Sequence, residues 1–223
     1  MAHVKEGAAS AEAADALNEL CTLYWRPIYA EIRRRGHATA DAQDLTQEFF
    51  ARMLRREAFG KAERDKGRFR TYLLGALDFF LVDEWRELHA QKRGGGALML
   101  PFDEATGEAW FQQLPASTSS PADMFDQNWA LVLMDRALAC LRDEYDASGR
   151  RDVFAAVEPY LSVNSGADGY ADACEAIGLT PQAFAVAVHR LRKRFRHCVR
   201  EQVELTVAEP SDVDAEMKHL FGI

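Results

Sequence analysis

Polar side chains that can bind a protein partner are concentrated between positions 41 and 48. The group is made of three carboxylates and one amide: Asp41, Asp44, Gln47 and Glu48. Beside them Leu45, Phe49 and Met53 recur every fourth residue, which is the spacing of one face of a helix. A charged rim around an apolar centre is suited to a protein interface. The segment therefore predicts an acidic helix that docks on another protein.

A basic counterpart lies downstream, where the stretch from position 190 to position 200 holds no acid. Its cations are Arg190, Arg192, Lys193, Arg194, Arg196 and Arg200. The helix that carries them has start signals, because Thr180 can cap it, Pro181 suits its first position and Gly178 allows a left-handed turn before it. Residues 170–197 thus have the pattern of a helix-turn-helix, whose second helix reads the DNA major groove. An ordinary helical hairpin with a solvated basic face is the alternative.

The periodicity of this second helix separates a buried side from an outer side. The buried side is predicted to hold Phe184, Val188, Leu191 and Phe195. On the outer side, the predicted contacts to base edges are Gln182, Val186 and Arg190, and the predicted contacts to phosphates are Arg192, Lys193 and Arg196. Thr180 and Ala183 complete the predicted DNA-binding set of this helix.

Another helix, predicted from about Arg68 to Ala90, carries more aromatic rings than a small core requires. Tyr72, Phe79 and Trp85 cannot all point inward together with the other rings of this helix. Aromatic rings flanked by arginines can stack on unpaired bases while the guanidinium groups hold phosphates. Core packing is the alternative for these rings. The predicted contacts to DNA are Arg68, Arg70, Tyr72, Trp85, Arg86, Lys92 and Arg93.

The composition is that of an ordinary globular protein and excludes several classes. The 223 residues are 48% hydrophobic and 28% charged, and the formal net charge of −8 argues against tight DNA binding by the chain alone. No apolar run approaches a membrane span, and the first ten residues lack the apolar core of a signal peptide. The four cysteines form no Cys-x-x-Cys pair, so we expect no metal, no disulfide and a cytoplasmic location. No phosphate loop or nucleophile–base pair indicates an enzyme, and no cofactor is expected.

The helical pattern is nearly continuous along the chain. We expect an all-α protein of two small helical domains joined by a flexible linker, the second domain with the helix-turn-helix. The predicted bounds are residues 8–96 for the first domain, 97–121 for an irregular linker, 122–207 for the second domain and 208–223 for a tail. The tail is predicted to form a short amphipathic helix, capped by Ser211 and Asp214, with an apolar stripe of Val213, Met217, Leu220 and Phe221 that packs on the protein.

Taken in order, these motifs resemble a bacterial RNA polymerase sigma factor of the extracytoplasmic-function (ECF) group, reduced to its regions two and four. Segment 41–50, Asp-Ala-Gln-Asp-Leu-Thr-Gln-Glu-Phe-Phe, is similar to the family's helix that docks on the clamp of core polymerase. The resemblance implies core-polymerase contacts by Asp41, Asp44, Leu45, Gln47, Glu48 and Phe49. Segment 69–74, with Asp83 and Arg86 beyond it, resembles the part that melts and reads the minus-ten promoter element. Segment 178–194 resembles the helix that reads the minus-thirty-five element, with departures at Phe184 and Ala185.

The resemblance implies a non-enzymatic initiation factor, monomeric when free, whose partners are core RNA polymerase and promoter DNA. An anti-sigma factor or a Ser/Thr kinase would regulate it, the kinase by extending the negative surface that faces the clamp. Thr46 stands in the acidic motif where many relatives carry an aliphatic residue, and it is the predicted phosphorylation site; a plain surface threonine is the alternative. Two rival functions are a stand-alone helix-turn-helix regulator and an adaptor that binds protein only. The first leaves the acidic helix unexplained, and the basic helix argues against the second.

Overall fold

The computed structural model describes residues 21–55, 69–90, 104–114, 120–162, 171–207 and 209–222. All regular structure in these ranges is helical, which confirms the all-α prediction. The chain divides into two compact units, Met1–Val132 (unit 1) and Leu133–Ile223 (unit 2). Within the described ranges, no helix is long and apolar enough to cross a membrane.

Unit 1 is built from helices whose apolar stripes face a common core. They are α1 (residues 21–34), α2 (Thr39–Arg55), α3 (Phe69–Ala90), α4 (Glu104–Gln113) and the first part of α5 (Pro121–Ala147). α1 ends at Arg34, and Gly36 beyond it has a left-handed φ of 94° and donates its N–H to the Arg33 carbonyl at 3.0 Å. The core of the unit includes the fully buried Ile28, Ile32, Phe50, Leu73, Leu77 and Trp129.

An aromatic stack ties the start of α5 to α1. The rings of Tyr24 and Trp129 lie 4.2 Å apart, with their planes 4° from parallel. Such a pair contributes about 0.5–1.5 kcal/mol beyond the area that it buries. The sequence analysis predicted that Trp129 belongs to a second domain that begins at residue 122. Its stack on Tyr24 instead puts this end of α5 in unit 1, and the division between the units falls inside α5.

Helix α4 lies within residues 97–121, which were predicted to be an irregular linker. Gly107 allows α4 to approach α1, because a Cβ atom there would lie 2.7 Å from Cζ3 of Trp25. Glu108 accepts two hydrogen bonds from Arg33, both at 2.9 Å, and a third from the Tyr29 hydroxyl at 2.5 Å. The prediction of irregular structure is therefore wrong for residues 104–113. These contacts stabilise the packing of α4 on α1.

Unit 2 contains the rest of α5 and a set of shorter helices around α8. They are α6 (Arg151–Val157), a 3-10 turn (Glu158–Tyr160), α7 (Ala171–Ile177), α8 (Pro181–Glu204), a second 3-10 turn (Pro210–Asp212) and α9 (Val213–Phe221). The buried side chains that these helices share include Leu141, Phe154, Val157, Phe184, Val188 and Leu191. Tyr160 meets Phe184 edge-on, with ring centroids 5.4 Å apart.

The terminal helix α9 packs against α8, with Val213 and Met217 buried. An ion pair between Arg200 and Asp214 lies at the exposed margin of this contact. The predicted side-chain caps are wrong, because a 3-10 turn leads into α9 and its N-cap residue, Asp212, makes no capping hydrogen bond. The amphipathic stripe, rather than a cap, is what attaches this helix to unit 2.

Candidate polymerase and nucleic-acid interfaces

Helix α2 presents acidic side chains on one side and buries the other. Asp41 and Asp44 are exposed, while Leu45 and Glu48 are half-buried beside them. We call these four residues the acidic face. Gln47 is half-buried at its edge, and the opposite side consists of the buried Ala42, Thr46, Phe49, Phe50 and Met53. The acidic face thus surrounds one apolar side chain with carboxylates.

The carboxylates of the acidic face differ in how far they are neutralised. Glu48 accepts a hydrogen bond from Arg52 at 3.2 Å, and Arg52 also pairs with Glu84 of α3. The same guanidinium lies 5.1 Å from the ring centroid of Phe80. Glu48 therefore helps to hold α2 against α3. Asp44 has no ion pair with any described residue, so its charge is available to a partner.

Phe49 belongs to the core and not to the acidic face. Its side chain is 1% exposed, and it meets the rings of Phe50 and Phe80 at centroid distances of 5.3 and 5.5 Å. The prediction that Phe49 contacts core polymerase is wrong, because no surface of the ring is open to a partner. Leu45 supplies the apolar centre instead.

Thr46 is also buried. It is 1% exposed, and its hydroxyl donates to the Ala42 carbonyl at 2.6 Å. Threonine is commonly accommodated inside helices through this bond to the preceding turn. The surface position assumed for Thr46 is wrong, and a kinase would have to unfold α2 locally to reach the hydroxyl.

Arg70 of α3 was predicted to contact DNA, but it is a structural residue. It is 4% exposed and pairs with Asp126 of α5. A buried arginine is stable only when it is paired, and removing its partner is strongly destabilising. The ion pair of Arg70 with Asp126 therefore stabilises the packing of α3 on α5 within unit 1.

The outer surface of α3 carries large apolar side chains. Tyr72 is 36% exposed, Phe79 is 78% exposed and Val82 is 49% exposed. Tyr72 and Phe79 are seven residues apart, or about two turns, so they share one face. The sequence analysis singled out Phe79 with Tyr72 as a ring that could lie at the surface, but it did not include Phe79 or Val82 among the predicted DNA contacts.

The remaining DNA contacts predicted for this region cannot be placed. Trp85 and Arg86 lie on α3, but their side chains are outside the described part of the structure. Arg68, Lys92 and Arg93 lie outside the described residues altogether.

The start of α8 has the local geometry that its sequence predicts. Gly178 has a left-handed φ of 65°, and the Thr180 hydroxyl accepts a hydrogen bond from the Ala183 N–H at 3.2 Å. Pro181 occupies the first helical position. These features set the direction of α8 as it leaves α7.

The two sides of α8 follow the predicted division closely. Phe184, Val188 and Leu191 are at most 2% exposed, and Phe195 is half-buried. The outer side holds the exposed residues Gln182, Ala183, Val186, His189, Arg190, Lys193 and Arg196. These seven residues, which we call the outer face of α8, form a surface with apolar and polar groups near the N-terminus and cations further along.

The cations of α8 fall into two groups. Arg192 donates two hydrogen bonds to the Tyr160 carbonyl, at 2.7 and 3.1 Å, so its predicted role as a phosphate contact is wrong. The Tyr160 carbonyl lies at the end of the 3-10 turn that follows α6, where carbonyl groups lack partners within the helix, and Arg192 supplies the missing hydrogen-bond donors. Arg190, Lys193 and Arg196 have no protein partner among the described residues.

Arg194 is likewise held inside unit 2. It pairs through two nitrogens with Glu144 of α5, and a third nitrogen lies 3.6 Å from Glu201. The hydrogen bonds from Arg194 lower the pKa of Glu144, which stays ionised in consequence. With Arg192, Arg194 and Arg200 engaged by protein groups, the outer face of α8 carries the cations that are available to an anion.

Comparison with known protein families finds one match, and it lies within unit 1. Residues 20–90 match the family model of Sigma-70 region 2. The match supports a sigma-70 type of sigma factor, with a role in RNA polymerase binding and promoter melting. No curated protein and no solved structure matches the chain.

Proposed function

We propose that this chain is a sigma factor of the ECF group, which binds core RNA polymerase through the acidic face of α2 and reads promoters with α3 and α8. The observation that carries the proposal is the match of residues 20–90 to Sigma-70 region 2, within which Asp41 and Asp44 lie exposed. The assignment to the ECF group rests on the resemblance of residues 41–50 and 178–194 to its regions two and four. The proposed location is the cytoplasm, and the proposed free state is a monomer.

The arrangement of α2 supports the polymerase-binding part. The apolar side of α2 is buried in the core of unit 1, so the acidic face is the side that a partner can reach. Asp41 and Asp44 would speed the association of a partner with complementary basic charge and fix its orientation. Leu45 would add an apolar contact. Gln47 at the edge of this face can add a hydrogen bond.

The DNA-reading part is supported by the exposed side chains of α3 and α8. Tyr72 and Phe79 offer rings on which unpaired bases can stack. On α8, Gln182, Val186 and Arg190 are exposed, and we expect them to contact base edges. Lys193 and Arg196 are exposed too, and we expect them to contact phosphates. Because the chain has a net charge of −8, we expect weak DNA binding until core polymerase contributes its own surface.

Reversing one charge on the acidic face tests the polymerase contact. Asp44→Lys should weaken binding to core polymerase at least tenfold without changing the melting temperature, since Asp44 is exposed and has no ion pair among the described residues. Asp143→Lys is the matched control, because it makes the same change of charge at an exposed site of α5 in unit 2. Equal affinity of wild type and Asp44→Lys for core would refute the contact.

Gel shifts on promoter DNA, with and without core polymerase, separate the proposal from a stand-alone regulator. A sigma factor should need core for specific binding, whereas a stand-alone regulator should shift the DNA alone. In the holoenzyme, Arg190→Ala should change the ranking of promoters by about 1–3 kcal/mol if it contacts a base edge. Arg196→Ala should weaken all promoters alike and reduce the salt dependence. Uniform losses in both variants would contradict the division of roles on α8.

A further inference from the structure

Two cysteines that are far apart in the sequence converge on a glutamate inside unit 2. Cys140 and Glu144 lie one turn apart on α5, and both are half-buried. Cys198 of α8 faces them and is 0% exposed. The two Sγ atoms and a carboxylate oxygen of Glu144 all lie within 4.8 Å of one another. The function proposed above makes no use of this cluster.

We propose that Cys140, Glu144 and Cys198 form a binding site for a borderline-soft divalent cation, of which Zn²⁺ is the best match. Two thiolates and a carboxylate are ligands that Zn²⁺ accepts, with a water or a further group in the fourth position. Tetrahedral bonds of the usual lengths separate ligand atoms by about 3.5–3.8 Å. The ligand atoms thus have to move together by only about 1 Å, which small side-chain rotations supply.

The surroundings of the cluster suit a bound cation. Arg194 donates to both carboxylate oxygens of Glu144 and so fixes the orientation of this ligand, as outer hydrogen bonds do at metal sites. Two thiolates, one carboxylate and a divalent ion carry a net charge of −1, which the guanidinium of Arg194 balances. An open groove lined by Cys140, Asp143 and Glu144 gives solutes access to the cluster from the surface of unit 2.

Metal binding would link α5 directly to α8, the helix with the proposed DNA-reading face. The site stands on residues of unit 2 alone and does not depend on the sigma-factor assignment.

The test uses the full chain, freed of metal with a chelator and kept reduced with a phosphine so that no disulfide can form. Co²⁺ should bind at one equivalent with the near-ultraviolet absorption of a cobalt–thiolate bond, and Zn²⁺ should abolish that absorption and raise the melting temperature. Cys140→Ala should bind Co²⁺ at least about tenfold more weakly. Cys174→Ala, which removes a buried cysteine of α7 outside the cluster, should behave as wild type.

Far-ultraviolet circular dichroism establishes that each variant is folded, and Cys198→Ala provides a second ligand variant. Absence of the cobalt–thiolate absorption in the wild type would overturn the proposal. An unchanged absorption in both Cys140→Ala and Cys198→Ala would also overturn it, since other thiols would then hold the ion.

Discussion

The same substitution, glycine to alanine, should have opposite effects at two helical positions of unit 1. Gly107 lies in α4, and a Cβ atom there would be 2.7 Å from Cζ3 and 3.0 Å from Cη2 of Trp25. Gly75 lies in α3, and a Cβ atom there would have no neighbour within 4 Å. Both φ angles are helical, so alanine is tolerated by the backbone at either place.

The magnitude follows from two terms. Alanine is better than glycine inside a helix by about 0.8–1.0 kcal/mol, and both variants gain this amount. At Gly107 the new methyl group must also displace Trp25, which is 9% exposed and has little room to move. Overpacking of this kind costs about 1–3 kcal/mol. Gly75→Ala should therefore stabilise the chain, and the free energies of unfolding of the two variants should differ by about 1–3 kcal/mol.

Urea denaturation followed by circular dichroism measures this difference. Tryptophan fluorescence of Gly107→Ala should also change, because Trp25 moves or α4 separates from α1. Equal stabilisation by both substitutions would refute the close packing of α4 on α1.

Three other substitutions test contacts within the units. Arg192→Ala should lower the free energy of unfolding by about 1.5–3 kcal/mol, because it removes charged donors from the Tyr160 carbonyl, whereas Lys193→Ala should change it by less than about 0.5 kcal/mol. Hydrogen bonds from Arg33 lower the pKa of Glu108 to about 2. The stability that the ionised Glu108 contributes is therefore complete above the ordinary pKa of a glutamate and is lost as pH falls from about 4.5 to about 2. Glu108→Gln should lack this pH-dependent loss of stability. Thr46→Glu buries a carboxylate and should lower the melting temperature strongly, whereas Thr46→Ala loses one hydrogen bond, or about 1 kcal/mol.

For each of these three predictions, one result would contradict the reasoning. Equal stabilities for Arg192→Ala and Lys193→Ala would mean that Arg192 is not held by the 3-10 turn. A stability difference between wild type and Glu108→Gln that does not change between pH 5 and pH 2.5 would contradict the ion pair with Arg33. A Thr46→Glu variant as stable as wild type would show that the site is open, and the phosphorylation switch predicted from the sequence would then become testable.

The sequence determined the helical class and the faces of its strongest helices. Apolar residues at intervals of three and four place Phe184, Val188 and Leu191 on one side of α8, and the burial of these residues follows that pattern. The cap at Thr180 and the turn at Gly178 depend only on neighbouring atoms, so the residues themselves specify them.

Only the tertiary structure decided which polar residues remain available. Arg70 and Arg192 were predicted to contact DNA, and Arg194 lies in the same basic run as Arg192. Each of the three instead meets an acid or a carbonyl from another helix. Sequence spacing cannot distinguish a solvated cation from a paired one, because the partners lie 32 to 56 residues away. Likewise Cys140 and Cys198 converge only because α5 and α8 pack together. Local propensity acts within a few residues, whereas pairing and burial depend on where distant helices bring their side chains, and this is the information that folding adds.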